Sequence, residues 1–153
     1  MAKRNKEKRP EMQWLTMDCT NMWQFQANTF DLIIDKSTID AIVCGDDANL
    51  KVAQMLAETI RVLKVGGVAY TISFGKPKER GYHFHRPFLS WDFRNFIVYD
   101  ADCKTEAEKE ERSHQIYTGK KRADADEVLV REYENCLTQM GYPFSASGST
   151  QKL

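Results

Sequence analysis

Phe30-Asp31-Leu32-Ile33-Ile34-Asp35-Lys36-Ser37-Thr38-Ile39-Asp40-Ala41 is the stretch on which the fold turns. Its first half, Phe30 to Asp35, is a short apolar run rich in branched residues, with Asn28-Thr29 before it and charge after it. That pattern predicts a strand buried on both faces, as in a parallel sheet. Further on, Leu50, Met55, Leu56, Ile60 and Leu63 recur at helical spacing, with Val52 and Thr59 beside them. Asp46 or Asp47 is placed to cap that helix, and Lys64-Val65-Gly66-Gly67 supplies the glycines of a C-cap and turn. Val68 to Ser73 then reads as a second strand. Strand, helix, Gly-Gly turn and strand make one βαβ unit, which puts the chain in the α/β class.

Outward from this unit the signals are shorter. Met12 to Met17 mixes apolar and aromatic residues and reads as a strand, followed by the polar turn Asp18-Cys19-Thr20-Asn21. Residues 3–9 are charged throughout and end at Pro10. Downstream, Gly75 to Arg86 reads as a basic loop. Trp91 to Tyr99 reads as a strand broken at Arg94-Asn95, residues 100–112 as a charged connection, and His114 to Thr118 as a last strand, the two antiparallel strands fitting a sheet edge. Asp124 to Met140 carries an amphipathic helical pattern with Gly141 at its C′ position. The expected domain covers 1–144, and the small polar residues 145–153 read as a disordered tail.

Composition narrows the function. With 153 residues, 42% of them hydrophobic, the chain can bury one core and is too short for two ordinary domains. Lys+Arg and Asp+Glu both number 22, so no net field draws the molecule to nucleic acid or to an anionic membrane. No apolar run reaches the ~20 residues of a membrane span. The basic N-terminus lacks the apolar run of a signal peptide. Cys19, Cys44, Cys103 and Cys136 form no C-x-x-C pair and read as free thiols, so the expected location is the cytoplasm, with the nucleus as the alternative. His83-x-His85 has no carboxylate or thiol at ligand spacing, so no metal site is expected.

Three stretches together resemble the latter half of a class I S-adenosylmethionine-dependent methyltransferase. They are Trp14 to Cys19, Phe30 to Ala41, and Arg61-Val62-Leu63-Lys64-Val65-Gly66-Gly67 leading into a strand. The D-K-x-T-x-D-A run from Asp35 to Ala41 is similar to the methyltransferase-like group that includes the elongation factor 1A lysine methyltransferases and their endothelin-converting-enzyme-linked relatives. The resemblance implies a partial Rossmann-like sheet, formed by the C-terminal strands of a seven-stranded sheet with flanking helices. It implies S-adenosylmethionine as cofactor, with Asp18 accepting from the adenine amino group and the Cys19 N–H facing a ring nitrogen. Asp35 and Lys36 would lie beside the methionine part. Asp35 and Asp40 are the catalytic candidates lining the acceptor pocket, with Thr38 and Asp40 toward the substrate and the Thr38 hydroxyl positioning Asp40. A protein lysine is the implied acceptor.

No glycine precedes Gly45, so the family's Gly-rich first turn and its ribose-binding acid have no counterpart. The resemblance therefore implies an N-terminally truncated chain with impaired activity and an exposed sheet edge open to self-association or to a hetero-partner. The alternative is a catalytically inactive pseudo-methyltransferase acting as a partner or regulatory subunit.

Overall fold

The computed structural model describes residues 7–142. Four strands form one sheet: β1 (Phe30–Lys36), β2 (Leu63–Ser73), β3 (Trp91–Tyr99) and β4 (Ser113–Lys121). Five helices accompany them: α1 (Thr38–Val43), α2 (Ala48–Val62), α3 (Pro77–Phe84), α4 (Glu106–Glu111) and α5 (Ala125–Gln139). The sheet order is β1-β2-β4-β3. β1 and β2 pair in parallel across α2, while β4 runs antiparallel to both β2 and β3. The carboxyl ends of β1, β2 and β3 therefore share one end of the sheet.

The βαβ unit forms as its periodicity demands. α2 buries Val52, Ala53, Met55, Leu56, Ile60 and Val62 against the sheet, and α5 adds Leu129, Cys136 and Leu137 to the same core. These helices cover the sheet face that carries Ala69 and Tyr117. The Gly-Gly pair does not cap α2. The helix ends at Val62, Leu63 is already extended, and Gly66 (φ +79°) and Gly67 lie inside β2. There they absorb a register shift against β1, between Phe30↔Leu63 and Leu32↔Val68. A Cβ on Gly67 would fall 2.9 Å from the Asp31 carbonyl oxygen, so the bulge needs glycine.

Several expectations change. Residues 12–17 form no strand. Extended backbone becomes a strand only with a ladder partner, and among the described residues β1 has just one, β2. β1 itself is buried on one face only, with Leu32 51% and Ile34 63% exposed. The loop expected over residues 75–86 contains α3, which starts at Pro77; the Glu79 N–H donates to the Lys76 carbonyl (2.8 Å), and the Lys76 N–H donates to Glu79 Oε2 (3.0 Å). His83 and His85 thus lie at a helix end and not on one strand face. β3 runs unbroken through Arg94-Asn95 because every residue from Trp91 to Tyr99 is paired with β4. The charged connection folds as α4 after the N-cap Thr105, whose hydroxyl accepts from the Glu108 N–H. The tail at 145–153 lies outside the described residues.

The buried Lys121 closes the fold at the far end. Its ammonium donates to Asn28 Oδ1 (2.9 Å), the Leu63 carbonyl (2.8 Å) and Asp126 Oδ1 (2.6 Å). All three ammonium donors are satisfied, which is what makes a buried lysine tolerable.

Candidate functional site

Asp18 follows the extended segment and folds its own turn. Its Oδ1 accepts from the Thr20 N–H (2.8 Å) and the Thr20 hydroxyl (2.7 Å). These two hydrogen bonds hold its pKa below the ordinary carboxylate value, with the Lys51 charge adding to them. Oδ2 remains an acceptor with no partner among the described residues. Cys19 is half-buried against the core. Burial raises its thiol pKa first, and the charges of Asp18 and Asp35 raise it further. The charges of both carboxylates act on this one thiol, and Asp35 sits at the carboxyl end of β1.

Asp35 ends β1 with its carboxylate turned to the start of α1. It accepts from the Thr38 N–H (2.9 Å) and the Ile39 N–H (3.4 Å). Ser37, at φ 64°, makes the sharp entry, and its N–H donates to the Ile72 carbonyl. Lys36 is exposed, its ammonium 5.8 Å above the Phe74 ring. Thr38 is also exposed.

Asp40 sits apart from this group, on the β2 side of α1. Its Oδ1 accepts from the Ser73 hydroxyl (2.6 Å) and its Oδ2 from the Phe74 N–H (3.1 Å). Arg80 Nε lies 3.5 Å from Oδ1. Both oxygens are committed to the end of β2, and it is Ser73 and Arg80 that position Asp40. Among the described residues the Thr38 hydroxyl makes no hydrogen bond to it, contrary to the expectation.

Two sets of contacts that hold the candidate site residues went unread in the sequence. Arg80 makes one. The other is the pair Glu58–Arg61 on α2, which holds the loop behind Asp18-Cys19. Glu58 accepts from the Met22 N–H (2.6 Å), and Arg61 donates to the carbonyls of Met22 (3.0 Å) and Phe25 (2.9 Å). The two side chains also bind each other at 2.6 and 2.7 Å. The available signal was a charged pair three residues apart on the apolar face of α2. A cavity of about 410 Å³ opens near the carboxyl end of β3, lined by Lys76, Ile97, Tyr99, Glu106, Lys109 and Gln115 among others. Its charges pair internally (Lys76–Glu110, Lys109–Glu106), and no sequence-predicted site residue lines it. Among the described residues there is no cluster of three or more metal-ligating side chains, and no helix is long and apolar enough to cross a membrane.

The sheet order, with three parallel strands and a last antiparallel strand inserted beside an edge, is that of the C-terminal strands of a class I methyltransferase sheet. An acid with a free oxygen beside an N–H, as at Asp18 and Cys19, suits an adenine edge, which offers an amino donor beside a ring-nitrogen acceptor.

Comparison with known proteins agrees. The methyltransferase domain family matches residues 1–71. The chain is 38% identical over 114 residues to the eEF1A lysine and N-terminal methyltransferase of Mus musculus, covering 71% of this chain and 16% of that protein. It is 35% identical over 68 residues to the mitochondrial citrate synthase-lysine N-methyltransferase of Danio rerio, covering 44% of this chain and 27% of that one. It is 28% identical over 94 residues to EEF1A lysine methyltransferase 4 of Mus musculus, covering 56% and 36%. A solved protein from Thermus thermophilus, named as a DNA modification methylase, shares the fold with a TM-score of 0.51 at 14% identity, over 69% of this chain and 51% of that one. The chain is thus similar to S-adenosylmethionine-dependent methyltransferases, and the curated relatives it matches include enzymes named as lysine methyltransferases. It spans less than two-fifths of the length of each of these curated relatives.

Proposed function

We propose that this chain contributes the adenine-binding and acceptor-facing half of a methyltransferase that moves a methyl group from S-adenosylmethionine to a protein lysine. The observation that supports this reading is Asp35 at the carboxyl end of β1, in a parallel pair, with its carboxylate and that of Asp18 both acting on the Cys19 thiol. Asp18 Oδ2 would accept from the adenine amino group, and the Cys19 N–H would face the ring. The bound cofactor supplies an electrophilic methyl on a sulfonium, and the protein's part is alignment, which can account for ~7–11 kcal/mol of such a barrier. Asp35 and Lys36 would border the methionine end, with Asp35 fixing the start of α1. Asp40, tied to Ser73, Phe74 and Arg80, would shape the acceptor wall. Thr38, exposed between the two acids, would meet the incoming peptide.

Titration calorimetry with S-adenosylmethionine tests the reading. Binding should be measurable for the wild type and fall at least tenfold in Asp18→Ala, since a hydrogen bond to a charged acceptor contributes about 1.5–3 kcal/mol. A wild type that takes up no cofactor would sink it. The second reading, a non-catalytic partner of a complete relative, is favoured by the outer edge of β1, which is unpaired among the described residues. It predicts no cofactor binding by this chain together with strand pairing at β1.

A further inference from the structure

β3 is the edge strand at the opposite side of the sheet from β1, and among the described residues its outer side has no partner. Asn95 pairs with the core residue Tyr117, so the odd-numbered side chains of β3 lie on the helix-covered face. There Trp91 and Phe93 stack against Phe84 of α3, with ring centroids 6.2 and 5.7 Å apart. Past that helix the same face lies open, with Ile97 60% and Tyr99 47% exposed. These two line the cavity of about 410 Å³, together with Pro77 of α3 and side chains of α4. The cavity is thus the core face of β3 continued beyond the reach of α3.

Its polar groups select the guest. Gln115 of β4 also lines the cavity and is only 3% exposed. Its Oε1 accepts from Asn95 Nδ2 at 3.4 Å, while its Nε2 has no partner among the described residues. A buried N–H left unpaired is unfavourable, so a guest that brings an acceptor to it gains a hydrogen bond in an apolar setting. The surrounding charges are already matched, Lys76 with Glu110 at 2.9 Å and Lys109 with Glu106 at 2.6 Å. No counter-charge is left for a charged guest, and burying an unpaired charge is costly. A neutral, bulky side chain with an acceptor at its tip fits, and tyrosine is that side chain, with Ile97 and the Tyr99 ring beside it. The strand edge supplies the rest. From Asn95 to Tyr99 it carries no charge and no proline, and its nine pairs with β4 run without a register break, so no bulge turns it away from a neighbour. A segment laid along it pairs its backbone with the free N–H and C=O groups, and every second side chain falls on the cavity side.

We propose that the outer edge of β3 binds an extended segment of a partner protein by strand addition, with a tyrosine side chain of that segment seated in the cavity against Gln115. None of the residues used is a candidate for the cofactor or the methyl acceptor, so the inference does not rest on the proposed methyl transfer.

Fluorescence anisotropy with the full chain tests it. The probe is a fluorescein-labelled peptide as long as β3, alternating Thr and Val around a central Tyr, with a Lys at each end. Companion peptides carry Phe, Ala or Glu at the centre. Two more keep the Tyr and are N-methylated at alternate backbone amides, one set for each side of the added strand. The Tyr peptide should bind at least tenfold tighter than the Ala and Glu peptides, and about fivefold tighter than the Phe peptide, the contribution of one neutral hydrogen bond. One N-methylated set should abolish binding and the other leave it, because only one side of the added strand faces β3. Gln115→Leu should remove the preference of Tyr over Phe while Phe binding persists. Ile97→Trp, which fills the cavity, should abolish binding with an unchanged far-ultraviolet circular dichroism spectrum. No binding of the Tyr peptide at ~1 mM, equal binding of the Tyr and Ala peptides, or indifference to both N-methylated sets would overturn the proposal. So would a Tyr preference that survives Gln115→Leu, because the guest would then lie outside the cavity.

Discussion

At the scale of single residues, buried polar groups set this protein's pH response. His83 is 1% exposed, and burial, reinforced by the Arg86 and Arg80 charges, pushes its pKa down to about 4. Arg86 donates to Nδ1 at 2.9 Å, so the ring is neutral with its proton on Nε2. The unfolded chain binds a proton on this histidine near pH 6.5 and the folded chain does not. The stability this represents is fully present above about pH 6.5 and is lost as pH falls toward 4. The loss should be on the order of 3 kcal/mol over that window. In His83→Gln, whose amide oxygen can still accept from Arg86, the urea midpoint should fall less between pH 7 and pH 4.5 than in the wild type. Equal falls would show that His83 is not the responsible group. Asp40 makes the complementary point. Its partners Ser73, Phe74 and Arg80 lie 33 to 40 positions away, so what holds this acid at the end of β2 could not be read from its local sequence.

At the scale of elements, the clamp from α2 shows how a helix positions a binding turn. The Glu58 and Arg61 side chains are 9% and 11% exposed and satisfy one another as well as the loop at Met22 and Phe25. Removing one partner strands a nearly buried charge, which costs about 3–5 kcal/mol. Arg61→Met should be destabilised by that order. The double variant Glu58→Gln/Arg61→Met should lose less than the two single changes added together, by a chemical-denaturation cycle. Additive losses would mean the two side chains act separately. The elements differ in how far the sequence declared them. α2 and α5 were legible because each buries a stripe with a 3.6-residue repeat over fifteen residues. α3 was not, because eight residues with a central Gly81 and four charged or histidine side chains show no stripe, although Pro77 and Glu79 marked its start. Asp18 was legible as a turn because Thr20, two residues on, supplies its hydrogen bonds. The clamp was not, since it joins positions 36 and 39 apart.

At the scale of the whole molecule, the sheet carries a gradient of protection from centre to edge. β2 and β4 each have a strand on both sides, whereas β1 and β3 have one. Both central strands also pack Ala69 and Tyr117 into the helix-covered core. Residues 12–17, for which the sequence pattern predicts a strand, have no ladder at all. Their mix of apolar and aromatic residues read as a strand, which does not form: without a neighbouring strand such a segment leaves its N–H and C=O groups to water. Local opening of a fold follows this order, with the least-paired segments exchanging first. Native-state hydrogen exchange should find the slowest amides in β2 and β4 and intermediate ones in β1. In β1, the N–H groups pointing away from β2 should exchange faster than those bonded to it. Residues 12–17 should exchange within the fastest class. Protection of residues 12–17 comparable to that of β2 would require a ladder partner in solution, and the β1 edge would then be paired as well. A flat profile across all four strands would mean that the sheet opens as one unit, with the free edges contributing no local weakness.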